Sequence, residues 1–137
     1  MQKDLLIIQK DAERLRLLIR DRTSCDESEQ SYLKQFAEEL LRARIIDPKK
    51  MPPDVVTMNS LVKLRDMDSR EFCLYRIVYP GGRESGNERV SVMTPIGMAL
   101  LGCRVGDVVA LPVSGGMRRL QIEKVLYQPE SAGHYKI

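Results

Sequence analysis

Residues 90–102 read Val-Ser-Val-Met-Thr-Pro-Ile-Gly-Met-Ala-Leu-Leu-Gly, a stretch that contains the complete signature of a short capped helix. Thr94 is a preferred N-cap residue, because its hydroxyl can accept a hydrogen bond from a free backbone N–H of the first turn. Pro95 suits that first turn, where a missing N–H costs nothing, and Gly102 suits the left-handed position after the last turn. The sequence therefore predicts a helix over residues 95–101.

Strands are predicted on both sides of this helix. Runs of apolar, aromatic and β-branched residues bounded by turn formers are typical of strands, and they occur at 61–65, 71–79, 89–93, 108–113 and 117–127. Ser114-Gly115-Gly116 between the last two runs predicts a closing hairpin. Residues 48–137 are therefore expected to form a β-rich domain with one short helix, so that the whole chain is α+β.

The first 47 residues follow the helical period instead. Apolar residues spaced three and four apart predict two helices, at about 11–22 and 28–46, with Asp11 as a possible N-cap. The polar connection between them is too short to let the helices diverge, which favours an antiparallel hairpin. Prolines at 48, 52 and 53 place a domain boundary near 47–54. Residues 3–8 fit either a strand or a buried helix start.

Composition narrows the class of protein. The longest apolar run is four residues and no signal segment opens the chain, so we expect a cytoplasmic protein without a membrane span. Three widely spaced cysteines fit ordinary thiols. Residues 1–47 carry 9 basic and 10 acidic residues, whereas residues 48–137 carry 13 and 9. The arginines of this second part are interpreted as a solvated face, which leaves direct nucleic-acid binding weak or absent.

Residues suited to catalysis are scarce. His134 is the sole histidine and lies near the end of the chain, and no phosphate-binding loop, dinucleotide fingerprint or His/Cys metal cluster occurs. We therefore expect no catalytic residues, no cofactor and no resident metal. The acidic connection with Asp26, Glu27 and Glu29 has two interpretations: solubilising charge that also favours the helix dipole, or carboxylates that share a metal with another molecule's ligands.

The capped helix and the turn after it resemble the C-terminal domain of the bacterial Gre transcript-cleavage factors. The matching residues are Ser91, Pro95, Ile96, Gly97, Ala99, Leu100, Leu101, Gly102, Gly106 and Asp107. The Rnk family, called regulators of nucleoside diphosphate kinase, is similar along nearly the whole chain. Its blocks are matched at 11–14, 51–52, 54–60, 78–80 and 127–130.

This resemblance implies an FKBP-like C-terminal domain and an N-terminal antiparallel coiled coil. It implies RNA polymerase as the partner, bound near the secondary channel. The positions that dock on the polymerase are matched by Met93, Thr94, Pro95 and Ile96, although Thr94 and Pro95 also serve as helix caps and Ile96 also suits the core. Asp26 and Glu29 match the two acidic residues that help Gre factors hold the catalytic Mg²⁺ at the coil tip.

The predicted arms are shorter than those of Gre factors, since about 12 and 19 helical residues span only about 18 and 28 Å. The resemblance then favours a monomeric regulator that competes with Gre-like factors without stimulating RNA cleavage. Three alternatives stay open: an active cleavage factor that uses the tip carboxylates, a regulator of nucleoside diphosphate kinase acting directly or indirectly, and a prolyl isomerase. The last is disfavoured, because such pockets are usually lined with aromatic residues and this chain has no tryptophan.

Overall fold

A computed structural model describes residues 5–21, 27–80, 88–113 and 115–134, with the backbone alone at 27–30, 112 and 113. Its N-terminal part is a pair of helices joined at the base by a small parallel sheet. β1 (Leu6–Ile7) leads into α1 (Gln9–Arg20), and α2 (Glu27–Leu41) leads into β2 (Arg44–Ile45), which pairs with β1. Of the two interpretations of residues 3–8, the strand is confirmed at Leu6–Ile7.

The start of α1 differs from the predicted one. The helix begins at Gln9 after Ile8, without a side-chain cap, and Asp11 lies inside its first turn. Asp11 is buried there, so the prediction that it caps the helix is wrong. Its carboxylate has a long-range partner instead, which is described below.

The end of α2 also differs, because a strand replaces the predicted last turn. The helix ends at Leu41 rather than at residue 46. The backbone N–H groups of Arg44 and Ile46 donate to the carbonyls of Leu5 and Ile7, both at 2.9 Å. A backbone donor used in a sheet cannot also extend a helix, so the pairing with β1 sets the helix end.

A five-stranded sheet forms the rest of the framework. Its strands are β3 (Leu61–Asp66), β4 (Phe72–Val78), β5 (Arg89–Ser91), β6 (Val108–Val113) and β7 (Gly116–Tyr127). The spatial order is β5-β4-β3-β7-β6, with β5 parallel to β4 and the other neighbours antiparallel. A strand therefore lies at each of the five predicted positions. Two register shifts bend β7 against β3.

Two further helices complete the fold. α3 (Pro95–Leu100) is the predicted capped helix and follows β5 directly. α4 (Pro129–Ala132) was not predicted, because a single turn is too short to show a helical period. The buried Gln128 caps α4 by accepting from the Ser131 N–H, and its amide donates to the carbonyls of Pro52 and Val55 at 2.7 and 2.8 Å. Gln128 thus holds the proline-rich connection against the C-terminal part.

Helices α1, α2 and α3 pack on the same face of the sheet. The main buried cluster combines hairpin residues such as Leu15 and Phe36 with sheet residues such as Leu64 and Ile122 and with Leu100 of α3. Along β3 and β4 the buried residues alternate with more exposed ones, so the opposite face of the sheet is open. Among the described residues no helix has both the length and the apolar content needed to cross a bilayer.

Candidate functional site

The corner between β5 and α3 is held by local hydrogen bonds. The Thr94 hydroxyl oxygen accepts from the Gly97 N–H at 3.2 Å, and the same hydroxyl donates to the Ser91 carbonyl at 2.6 Å. The Ser91 hydroxyl accepts from the Met93 N–H at 3.1 Å. The capping role predicted for Thr94 is confirmed, and its second bond fixes the helix start to the end of β5.

Gly97 allows α3 to lie directly against the end of β5. A Cβ atom at this position would collide with the Ser91 carbonyl oxygen and approach the Val92 Cα to 2.8 Å. Both obstacles are backbone atoms, which cannot rotate away. The close contact between helix and strand therefore depends on the missing side chain.

The four residues predicted to dock on a partner differ in how much surface they offer. Met93 is only 6% exposed and belongs to the main core, so its side chain has little surface left for a contact. Thr94 and Ile96 are partly buried. Pro95 is exposed. The corner thus presents chiefly Pro95, and docking through these residues stays a prediction.

A pocket of about 160 Å³ lies beside Pro95, between α2, α3 and β6. Tyr32 and Phe36 of α2 line one wall, and Pro95 and Ala99 of α3 line the other. The buried Glu39 adds a carboxyl group to the lining, which also includes the polar side chain of Gln35. Together, Pro95 and the pocket form a concave surface that joins the hairpin to the capped helix.

The structure describes only part of the predicted acidic tip. Asp26 lies outside the described residues. Glu27 and Glu29 belong to the first turn of α2, and their side chains also lie outside the described set. Within the part of the chain that the structure describes, no group of three His, Cys, Asp or Glu side chains is arranged to hold a metal.

A buried polar junction, which the sequence reasoning missed, fixes α1 to the sheet. The Tyr79 hydroxyl, just beyond β4, donates to a carboxylate oxygen of Asp11 at 2.6 Å. The Arg14 guanidinium carbon lies 3.7 Å from the centroid of the Tyr79 ring. Burial raises the pKa of the Asp11 carboxyl, although the Tyr79 bond and the nearby cations oppose that rise. Burial beside Asp11 raises the pKa of the Tyr79 hydroxyl too, so this hydroxyl remains a donor.

A second buried carboxyl, Glu130 of α4, borders the same small cleft as Asp11. One of its oxygens accepts from the Thr57 hydroxyl at 2.6 Å, and the hydroxyl of the buried Ser60 lies 2.9 Å from that of Thr57. Because Thr57 gives its proton to Glu130, the Ser60 hydroxyl donates to Thr57. Burial raises the pKa of Glu130, and the negative charge of Asp11 adds to this effect.

One signal in the sequence could have revealed this junction. Asp11 precedes Leu15 by four residues, so it lies on the helix face that the apolar residues bury. A carboxylate on such a face needs a buried partner. At this junction the Tyr79–Asp11 hydrogen bond joins α1 to the end of β4.

Comparison with known proteins identifies the family. The family described as "Transcription elongation factor, GreA/GreB, C-term" matches residues 51–127, which include the capped corner and the sheet. The solved prokaryotic transcription elongation factor GreA/GreB from Nitrosomonas europaea superimposes with a TM-score of 0.78 at 36% identity, covering 92% of this chain and 100% of that one. The chain belongs to the GreA/GreB family of transcription elongation factors.

Two curated relatives refine this placement. The "Regulator of nucleoside diphosphate kinase" of Escherichia coli K12 is 46% identical over 98 residues, which are 71% of this chain and 72% of the regulator. The "Transcription elongation factor GreA" of Clostridium perfringens SM101 is 34% identical over 88 residues, 64% of this chain and 56% of that factor. The chain is thus more similar to the regulator than to this GreA, as its sequence blocks predicted.

Proposed function

We propose that the protein is a non-enzymatic transcription regulator that binds RNA polymerase near the secondary channel and competes with Gre-like factors without stimulating RNA cleavage. Membership of the GreA/GreB family supports polymerase as the partner. The proposal includes an FKBP-like C-terminal domain over 48–137 and a short antiparallel coiled coil within 1–47. It also includes a cytoplasmic location and a monomeric state.

The absence of cleavage stimulation is proposed because the hairpin is short. α1 has 12 residues and α2 has 15, so the arms span about 18 and about 22 Å at 1.5 Å per residue. A carboxylate binds a divalent metal only at about 2.0–2.6 Å, so a tip that stops short contributes nothing to metal chemistry. Short arms are compatible with occupying the channel mouth and not with completing a metal site deep inside it.

The lengths of the two curated relatives agree with the proposal of a short-armed regulator. The 98 matched residues are 72% of the regulator, which gives it about 136 residues, against 137 in this chain. The 88 matched residues are 56% of GreA, which gives about 157. The curated relative that is more similar to this chain is therefore about 20 residues shorter than the elongation factor.

The docking surface that we propose is the β5–α3 corner, with Pro95 at its centre and the pocket between α2 and α3 beside it. Pro95 is exposed, while Thr94 and Gly97 hold the corner rigid from behind. A rigid apolar protrusion next to a concave wall favours protein binding, since little conformational freedom is lost on association.

The name of the E. coli relative favours a second candidate, regulation of nucleoside diphosphate kinase. We infer that any such effect is indirect and acts through transcription, because binding to polymerase alone can change the amount of an enzyme. A direct contact with the kinase would be detected as binding between the two purified proteins.

A competition assay tests the main proposal. Backtracked transcription complexes are incubated with this protein alone and then with a Gre factor and increasing amounts of this protein, and RNA cleavage is measured. We expect no cleavage from the protein alone and progressive loss of Gre-stimulated cleavage. Cleavage by the protein alone that disappears in Asp26→Ala or Glu29→Ala would instead establish the active cleavage factor.

A pair of proline variants tests the docking surface in the same assay. Pro95→Ala is expected to weaken competition severalfold, because it trims the exposed centre of the corner. Pro53→Ala is the matched control, since Pro53 is also exposed but lies in the connection before β3. Equal competition by both variants would remove Pro95 from the docking surface.

A further inference from the structure

The open face of the five-stranded sheet, which points away from the helices, concentrates basic side chains. Cross-strand partners lie on the same face of a sheet, so the register shows which residues share it. The basic and aromatic residues that follow one another in rows across this outer face are Arg89 and Arg76, Lys63 and Lys124, and Phe72 and Arg65. None of the strand residues paired in these three rows is acidic.

An exposed aromatic ring lies within this basic surface. Phe72, the first residue of β4, is 53% exposed, which is unusual for a phenylalanine. The Lys63 ammonium nitrogen lies 4.3 Å from the centroid of the ring, and the Arg65 guanidinium carbon lies 5.9 Å from it. At the other end of the face, the Arg76 guanidinium carbon lies 5.4 Å from the centroid of the Tyr127 ring. Rings and cations are therefore interleaved.

The strand register separates the arginines that the sequence alone treats together as a solvated face. Arg65, Arg76 and Arg89 share the outer face, whereas Arg118 lies on the other face and pairs with Asp66 at 3.1 Å. Arg119, at the margin of the face, pairs with Asp68 at 2.8 Å. Arg65, Arg76 and Arg89 thus share one surface with Lys63 and Lys124, although the net charge of the chain is only +3.

We propose that the outer face of the sheet binds single-stranded RNA, with one base stacked on Phe72 and the backbone phosphates on Lys63, Lys124 and neighbouring arginines. Cations complement the phosphates, and an exposed ring supplies the stacking surface on which unpaired bases bind. An acidic protein would pair with the cations but would leave Phe72 without a stacking partner. A duplex would hide its bases from the ring.

Of the single-stranded nucleic acids, RNA is favoured over DNA by the family, because an elongation factor acts where a transcript is made. The RNA-binding face is separate from the docking corner, since Pro95 follows β5 on the helix side of the sheet and Phe72 lies on the open side. Binding of free RNA needs no polymerase. The two proposals can therefore fail independently.

Fluorescence anisotropy with a labelled single-stranded RNA of about 12 nucleotides, within the range that single-domain binding platforms occupy, tests the proposal. We expect saturable binding by the full chain that weakens as salt rises. Phe72→Ala should lower the affinity about tenfold, the effect of losing one base-stacking contact. The Lys63→Gln and Lys124→Gln pair should lower the slope of log affinity against log salt by about 0.7 for each lost phosphate contact.

Matched variants on the helices control for nonspecific effects. Leu41→Ala removes an apolar side chain that is 79% exposed, and Lys34→Gln removes an exposed charge, both on α2. Neither should change RNA affinity, and thermal unfolding should show that Phe72→Ala remains folded. RNA binding that is unchanged in Phe72→Ala overturns the proposal. Binding of polyglutamate as tight as that of RNA, with no effect of Phe72→Ala, would overturn it in favour of an acidic protein partner.

Discussion

Two hydrogen-bonded junctions of this molecule differ in the sequence distance between their partners. At the β5–α3 corner, Thr94 bonds to Ser91 and Gly97, each three residues away. At the buried polar junction, Tyr79 bonds to Asp11 across 68 residues, and Thr57 bonds to Glu130 across 73. The first junction is encoded in one short segment, and the second exists only after the chain has folded.

The two junctions also serve different parts of the proposed function. The corner presents Pro95 and is made rigid by backbone contacts that tolerate no added atoms. The polar junction joins α1 to the end of β4 through the hydrogen bond between Tyr79 and the buried Asp11. Damage to the first should affect the fold around α3, whereas damage to the second should loosen the hairpin while the sheet remains.

The largest effect is expected from Gly97→Ala at the corner. The new Cβ would meet the Ser91 carbonyl oxygen and the Val92 Cα, so α3 must move away from β5. We expect a loss of about 3 kcal/mol in the free energy of unfolding, at the upper end of the usual cost of overpacking. Urea denaturation followed by circular dichroism measures this loss.

Gly106→Ala is the matched control, because Gly106 has a positive φ of 97° but no atom within 4 Å of the added Cβ. It should cost only the backbone strain of about 1–2 kcal/mol. If Gly97→Ala proves no more damaging than Gly106→Ala, the close contact between α3 and β5 is not a source of rigidity at the corner.

A smaller effect is expected from Tyr79→Phe at the polar junction. The variant keeps the ring beneath Arg14 but removes the hydroxyl that donates to the buried Asp11. An unpaired buried acceptor costs about 1–3 kcal/mol, and hydrogen exchange of the α1 amides should increase more than that of β3 and β7. Uniform loss of protection across hairpin and sheet would show that the junction does not act on the hairpin selectively.

The smallest expected effect is on the pH dependence of stability. Asp11 and Glu130 contribute to it with one sign, and Asp66 contributes with the opposite sign. Folding raises the pKa of Asp11 and of Glu130 above their ordinary values of 3.8 and 4.5, so the folded chain binds more protons there than the unfolded chain. Their contribution to stability is complete below those ordinary values and is lost as pH rises through the raised folded values. Asp11→Asn with Glu130→Gln should flatten this decline in urea midpoints above about pH 4.

Asp66 supplies the contrasting case. Hydrogen bonds from the Ser69 and Asp68 N–H groups, and then from Arg118, lower the pKa of its carboxyl. Its contribution is present above its ordinary value of 3.8 and is lost as pH falls through the lowered folded value. Asp66→Asn should therefore change the acid side of the stability profile alone. If Asp66→Asn and the Asp11→Asn with Glu130→Gln variant changed stability on the same side of the pH profile, the opposite signs assigned to these carboxyls would be contradicted.

The sequence by itself determined those elements whose signals are local. Caps, turn residues and apolar periods depend on neighbours within about four residues, so α3, the five strands of the sheet and the two hairpin helices could all be predicted. The resemblance to the GreA/GreB and regulator families rested on the same compact blocks and was confirmed by the comparisons.

Only the tertiary structure decided what depends on distant partners. It ended α2 at Leu41 because the carbonyls of Leu5 and Ile7 take the backbone donors of Arg44 and Ile46, and it buried Asp11 against Tyr79. It placed Met93 in the core and left Pro95 exposed at the corner. It also gathered Lys63, Arg65 and Phe72 on one sheet face, because cross-strand register cannot be read from either strand alone. Interactions between near neighbours determined the helices and strands, and the packing of these elements determined which side chains are exposed to a partner.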